Sequence, residues 1–290
     1  MLAAALCYVL WGAVPLYWKL LHGIDAVELI AHRHVWSLLV LGLLLPIADG
    51  FTAVRAVLGS GRAIALHLLS ALLLTTNWLV YVYGVLSERV TDCSLGYYLV
   101  PLVNVAVGRF ALHERIRPLQ WLAIAAAAVG VTMLVVARGT LPWIAIVLAA
   151  SWGAYSLLRK RSQLAAIPGL AVETLLFTPP AIAYLVWLAA HGEGALGHVG
   201  AWDTVLLLCS GWVTSVPLVW FAYAAARIPI SALGLLQYIS PSLQFLLGWL
   251  VYHEVVVLAQ LPGYGCIWLG LAVYSAEGLW TRRRLEHTGE

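Results

Sequence analysis

The sequence predicts an all-α polytopic membrane protein, with ten transmembrane helices arranged as two inverted five-helix repeats. Three observations carry this. Of 290 residues, 63% are hydrophobic and 10% charged, against roughly 45–50% and 25% in soluble domains, so a soluble fold could not hide the apolar surface. Apolar stretches of about 18 to 22 residues recur along the whole chain, each long enough at about 1.5 Å per residue to cross a hydrocarbon core about 30 Å thick. The second half also echoes the first. Trp11, Gly12 and Lys19 recur 141 residues later as Trp152, Gly153 and Lys160. Tyr98, Pro101, Gly108, His113, Glu114, Gln120 and Gly130 recur at an offset of 140 as Tyr238, Pro241, Gly248, His253, Glu254, Gln260 and Gly270.

The apolar stretches read as helices because strand alternation with a polar lumen face is missing, and a helix satisfies its own backbone hydrogen bonds in lipid. Spans fall at 2–20, 28–48, 63–86, 92–111, 118–137, 141–158, 170–190, 203–225, 231–251 and 261–280. The connections carry turn chemistry, as in Asp49-Gly50, Gly59-Ser60-Gly61, Ile167-Pro168-Gly169 and His191-Gly192-Glu193-Gly194. The first span resembles a signal peptide but lacks a basic n-region. Its counterpart around Trp152 lies deep inside the chain, so the first span is expected to be a retained helix, wherever the native chain begins. Residues 1–139 form the first repeat, 140–281 the second, and 282–290 a basic tail.

Charge orients the chain. With the N-terminus in the cytoplasm, that side receives Arg55, Arg62, Arg115, Arg117, Arg159, Lys160, Arg161, Arg227, Arg282, Arg283 and Arg284, and the opposite side only Lys19, Arg89 and Arg138. The positive-inside rule then predicts both termini in the cytoplasm. Five spans per half is an odd number, so the second copy enters from the opposite side and the repeat is inverted, a common construction of secondary transporters. Cys7, Cys93, Cys209 and Cys266 share no metal-ligand spacing and read as packing residues.

Candidate ligand-binding residues follow from helical spacing. Tyr97, Pro101, Asn104 and Gly108 form one stripe on the fourth span, answered by Gln237, Pro241, Gln244 and Gly248 on the ninth. Each copy thus keeps polar groups around a mid-span proline, Pro101 or Pro241, that loosens the helix as a hinge beside a cavity would require. Helix–helix hydrogen bonding would also explain the pattern. Asn77 and Tyr81 share a face of the third span. Of the many aromatics, most serve as interfacial anchors; Trp11, Tyr81, Tyr98, Trp152, Trp220 and Tyr238 are the expected cavity walls. Their faces would attract a cation or a ring, with Asn77, Asn104, Gln237 and Gln244 orienting polar groups.

Ionisable residues inside a span cost about 2.5–3.5 kcal/mol at mid-membrane on insertion scales, so each needs a reason. Glu28 and His32 lie one turn apart, Arg33 and Ser37 form a second such pair, and Lys19 closes the preceding helix. Glu28 with Lys19 or Arg33 is the expected outer gate, and Glu173 with Arg159 or Lys160 the cytoplasmic one; Glu28, His32 and Glu173 are the candidate proton carriers. Snorkelling to the headgroups would also account for these charges. Enzyme motifs are absent: His113-Glu114 and His253-Glu254 lack the second histidine of HExxH, and no GxSxG or P-loop occurs. The repeated glutamates are expected to tie the fourth–fifth hairpin to its symmetry mate.

The repeated Glu, Gln and Gly pattern resembles the EamA-type transporters of the drug/metabolite transporter superfamily, and the likeness covers nearly the whole chain. Trp11, Gly12, Pro15, Lys19, Glu28, His32, Arg33, Trp36 and Ser37 resemble the WG-x2-P-x3-K and E-x3-HR-x2-WS stretches of its RarD-type branch. The second copy departs here, running from Leu176 through Thr178-Pro179-Pro180. The resemblance implies an inner-membrane exporter or permease for small organic compounds, with a central cavity lined by the third, fourth, eighth and ninth helices and by the first and sixth. The expected partners are a small-molecule substrate and the lipid bilayer, without cofactor, metal or nucleic acid. The competing expectation is a membrane scaffold or sensor that keeps the fold without transporting.

Overall fold

The predicted apolar intervals are largely helical over their described residues, and several helix ends carry caps. A computed structural model describes residues 2–48, 50–112, 118–162, 164–225, 236–255 and 258–288. The helices are α1 (Leu2–Leu20), α2 (Ala26–Leu44), α3 (Gly50–Leu58), α4 (Gly61–Leu86), α5 (Val90–Leu112), α6 (Pro118–Arg138), α7 (Trp143–Ser162), α8 (Ala166–His191), α9 (Ala201–Ala225), α10 (Ile239–Leu246) and α11 (Leu261–Thr288). Asp25 caps α2 by accepting the Val27 N–H at 2.8 Å, and Ser60 caps α4 through the Ala63 N–H at 3.4 Å. Gly192, at φ 72°, ends α8 in the left-handed conformation that a glycine adopts freely.

Among the described residues six helices are long and apolar enough to cross a membrane: α1, α2, α4, α6, α8 and the Ala201–Phe221 part of α9. Trp143–Arg159 and Ile239–Val251 are shorter apolar helices. Their outward faces suit lipid. Leu68, Leu69 and Leu72 are exposed on α4, and Trp121, Trp187, Trp202 and Trp212 are exposed elsewhere, as expected of aromatic anchors.

Two elements differ from the sequence expectation. The second span stops at Leu44, and the connection that follows folds into α3, which buries Gly50, Val54 and Val57 against α8. The spacing of Val54 and Val57 gives this short helix one apolar face, which a search for membrane-length stretches passes over. The second difference lies at Pro241. Residues 237–238 form a turn before α10 begins, and α10 runs on as a π-turn over Leu247–Val251. Pro241 therefore sits in a first helical turn, where its missing N–H is tolerated, whereas Pro101 is inside continuous α5.

The halves interlock. Helix α2 packs between α8 and α9, α6 lies along α11, α4 touches α7 and α8, α5 touches α7 and α10, and α1 touches α9 and α10. The α4–α7 and α5–α7 contacts have counterparts in α9–α1 and α10–α1. Glycine permits these approaches. A Cβ on Gly12 would lie 2.8 Å from the Leu243 Cβ, and one on Gly153 would lie 2.5 Å from a Val103 methyl. Likewise a Cβ on Gly130 would lie 2.6 Å from the Gly263 carbonyl oxygen, and one on Gly270 would lie 2.7 Å from that of Ala123. Membrane helices associate through such close packing, since lipid offers no hydrophobic drive between them.

Gly130→Val is therefore expected to destabilise the protein by about 1–3 kcal/mol through overpacking of α6 on α11. Gly23→Ala is the control, since a Cβ there meets nothing within 4 Å. The thermal midpoints of the detergent-purified variants check this; equal midpoints for both would contradict the packing account.

Candidate functional site

Polar ties close both ends of the bundle, and an aromatic interior lies between them. At the end where α1 finishes, Lys19 Nζ is 3.5 Å from the Glu88 carboxylate and lies 5.0 Å from the centre of the Tyr252 ring. Glu28 accepts the Ala195 N–H at 2.5 Å, which joins α2 to the α8–α9 connection. Glu254 accepts the Val90 and Thr91 N–H groups at 2.5 and 2.8 Å and the Thr91 hydroxyl at 2.7 Å. It thus satisfies first-turn donors of α5 from the other half of the chain. At the opposite end Arg159 is 3.7 Å from Glu173, Tyr155 donates to Glu173 at 3.0 Å, and Arg159 donates to the Leu164 and Ala165 carbonyls. Gly169 leaves room for this, since a Cβ there would sit 1.7 Å from Arg159 Nη1.

Between the ends runs a row of rings. Trp78 and Tyr81 on α4 have centroids 6.0 Å apart, Tyr81 and Tyr97 on α5 5.6 Å, Tyr97 and Trp152 on α7 6.3 Å, and Trp152 and Tyr155 5.7 Å. Trp78, Tyr97, Trp152 and Tyr155 are half-buried, although each packs against a cluster of buried residues. Along α5, Tyr97 and Pro101 are half-buried and Asn104 is exposed, so the stripe opens as it descends. Asn77 holds the row. Its amide donates to the Leu148 carbonyl at 3.0 Å and to Ser151 at 2.9 Å, and its oxygen accepts the Tyr97 hydroxyl at 3.2 Å.

Arg33 enters this interior from α2 with 2% of its surface exposed. Its guanidinium lies 4.3 Å from the centre of the Trp78 ring, and its Nε donates to Thr214 on α9 at 3.3 Å. Nη1 is buried without a hydrogen-bond partner. A desolvated cation–π contact is worth about 2 kcal/mol and a charged hydrogen bond about 1.5–3 kcal/mol, the low end at this length. Burying an ion costs several kcal/mol, so these contacts offset much of the penalty and leave donors over.

The sequence-predicted pairing of Glu28 with Arg33 or Lys19 is corrected by this geometry. Residues five apart on a helix point about 140° from one another, so Arg33 turns to Trp78 while His32, one turn on, comes within 3.6 Å of Glu28; Lys19 takes Glu88 instead. The Arg159–Glu173 pair is brought together as expected. The side chain of Lys160, and all of His113 and Glu114, lie outside the described residues. Asn77 is fully buried and saturated, so it ties three helices and orients Tyr97 instead of lining open space.

Other candidate walls divide into separate places. Tyr98 and Tyr238 stack on each other at 6.4 Å and border an apolar groove with Phe245, Trp249 and Trp268, away from the central row. Trp11 packs on Phe221 at 5.8 Å, and its carbonyl accepts the Gln244 amide at 3.1 Å. Phe221 also packs on Tyr8, at 6.4 Å, and makes the ring contacts expected of its half-buried neighbour Trp220. Gln237 is half-buried in the turn before α10, and the Pro241 carbonyl accepts the Ser94 hydroxyl at 2.7 Å. Sequence reasoning missed Tyr155 and Thr214. Tyr155 was findable, because it sits one turn from both Trp152 and Arg159. Among the described residues no three His, Cys, Asp or Glu side chains gather as metal ligands.

The fold and site define a class: a multi-pass, all-helical membrane protein with a charged and aromatic interior. Comparison with known proteins narrows it. Residues 1–136 match the EamA-like transporter family. The chain is 40% identical over 277 residues to Protein RarD of Streptomyces exfoliatus, covering 96% of this chain and 88% of that protein. It is 35% identical over 283 residues to Protein RarD of Escherichia coli, covering 98% and 96%. An "Uncharacterized transporter" of Vibrio cholerae is 42% identical over 279 residues, covering 96% and 92%. The chain belongs to the EamA-like transporter family, in its RarD-type branch. A crystal structure at 20% identity shares the fold, with a TM-score of 0.63 over 97% of both chains.

Two double-mutant cycles read on thermal stability check the pairings. Arg159→Ala with Glu173→Ala is expected to show a coupling of about 0.5–3 kcal/mol, as for side chains in contact. Glu28→Ala with Arg33→Ala is expected to be additive within about 0.5 kcal/mol. Strong coupling in the second cycle would restore the Glu28–Arg33 pair.

Proposed function

We propose that this protein is a secondary transporter of the inner membrane that moves a small organic metabolite or drug by alternating access, with both termini in the cytoplasm. One observation carries the reading. A row of half-buried rings and a buried cation occupy the bundle interior, while separate, breakable polar ties hold each end. Interior groups that neither lipid nor the opposite helix fully covers are what a passing solute requires.

In this reading residues 1–139 and 140–281 are inverted repeats, and the reciprocal helix contacts support that division. The row Trp78, Tyr81, Tyr97, Trp152 and Tyr155 receives the apolar body of the solute, with Trp11, Asn104, Gln237 and Gln244 nearer the margins. The Lys19–Glu88 and Glu28–Ala195 ties form the outer gate and Arg159–Glu173 the cytoplasmic gate. Breaking one set while the other holds exposes the interior to one side at a time. Pro101 and the turn before Pro241 give the central helices a place to bend. Proton coupling falls to Glu28, His32 and Glu173, whose side chains are buried beside these ties.

Reconstitution in proteoliposomes tests the proposal. Saturable flux of at least one compound from a metabolite panel is expected, with Trp152→Ala lowering it at least about tenfold while the protein stays folded, a loss of about 1.4 kcal/mol in transition-state stabilisation. No saturable flux of any compound would remove the transporter reading. The gates are tested separately with a cysteine-free background carrying Ser37→Cys. Arg159→Ala is expected to increase labelling by an impermeant maleimide from the cytoplasmic side, and Glu28→Ala from the outer side. Identical labelling in both variants would refute alternation.

A further inference from the structure

We infer that Arg33 is the anion anchor of the solute site, and that the molecule carried is a small organic carboxylate with an aromatic or apolar body. This rests on the transporter reading and sharpens it. Ring faces alone favour a cation as readily as an aromatic body. The position of Arg33 decides between them.

Lys19, Arg89 and Arg159 each have a carboxylate within 4 Å, although their side chains keep 16%, 33% and 16% of their surface exposed. Arg33 is more buried than any of them, at 2% exposed, and among the described residues no carboxylate lies within 4 Å of it. Its fork is held, not loose. The Nε bond to Thr214 at 3.3 Å and the Trp78 ring 4.3 Å away fix the plane of the guanidinium, while the buried Nη1 lacks any acceptor. A planar cation fixed on one edge and unsatisfied on another is complementary to a carboxylate, whose two oxygens accept parallel N–H bonds. The same fixed charge repels an ammonium group from the ring row.

The glutamates beside the interior do not supply the missing acceptor. Glu28 is engaged by the Ala195 N–H, and Glu173 by Tyr155 and Arg159. The half-buried rings of Trp78 and Tyr97 adjoin the place where a bound carboxylate would carry its body, so both parts of the ligand are matched by neighbouring groups.

Equilibrium dialysis of the purified full-length protein tests this with three probes of one skeleton: radiolabelled 3-phenylpropanoate, 3-phenylpropanamide and 3-phenylpropylamine. The carboxylate is expected to bind at least about tenfold more tightly than the amide, and the amine most weakly. Arg33→Gln is expected to abolish the preference for carboxylate over amide, Arg33→Lys to keep its order, and Arg55→Gln, at an exposed position of α3, to leave it unchanged. Equal binding of carboxylate and amide, a preference for the amine, retention of the preference in Arg33→Gln, or no binding of the carboxylate would each overturn the inference. Vesicle flux separates the two readings. Saturable flux that ignores the carboxylate keeps the transporter and removes the anchor, whereas carboxylate-selective binding without flux keeps the anchor and removes the transporter.

Discussion

Everything in this bundle depends on helices approaching closely enough for their backbones to touch. In water, helices are driven together by the apolar area they hide; in lipid that gain vanishes, and contact area must come from shape. Gly12 against Leu243 and Gly153 against Val103 bring α1 to α10 and α7 to α5. Gly211 does the same for α2 and α9, where a Cβ would lie 2.4 Å from the Trp36 backbone. Only at such distances does the Gln244 amide reach the Trp11 carbonyl, or the Asn77 amide the Leu148 carbonyl. The aromatic row inherits its register from these crossings.

Charge is distributed by the same logic. Near the bundle ends, water and headgroups are within reach, and exposed or half-exposed partners such as Glu88 and Arg89 can be tied at small net gain. A buried ionised group needs a specific partner, and at the other end Glu173 has Arg159 with Tyr155. Arg33 breaks the pattern, with one hydroxyl and one ring for five N–H donors. Departures of this kind concentrate at sites where an outside molecule completes the set of contacts.

The all-helical, membrane-spanning character was legible in the sequence, because membrane-length apolar runs are a coarse signal that survives local detail. The EamA resemblance was carried by residues such as Trp11, Gly12, Glu28 and Arg33, and the comparisons place the chain in that family. Helix α3 was not legible, since nine residues with one apolar face resemble a loop to a search for spans. Within the site, what the sequence conveyed depended on angle. Arg159 and Glu173 were matched correctly across helices, but Glu28 and Arg33 were matched by nearness in the chain, which ignores the rotation between positions five apart. Asn77 and Trp220 illustrate the remaining gap: a face can be assigned from spacing, whereas whether a polar atom on it is already satisfied depends on neighbours such as Leu148 and Ser151 that spacing does not reveal.

Glu254 has a mechanical consequence. Its carboxylate holds the first-turn donors of α5 from the turn that follows α10, so the start of one half's helix is clamped by the other half's hairpin. Pulling them apart would strand two N–H groups and a carboxylate together, each at about 1–3 kcal/mol or more if kept from water. Beside the clamp, Glu88 and His253 hold φ values of 57° and 52°, a conformation that side chains other than glycine rarely adopt, so neither turn has slack to pay out. The first turn of α5 and residues 252–255 are therefore tied together across the two halves of the chain. A motion at this end that keeps these bonds would carry both pieces together.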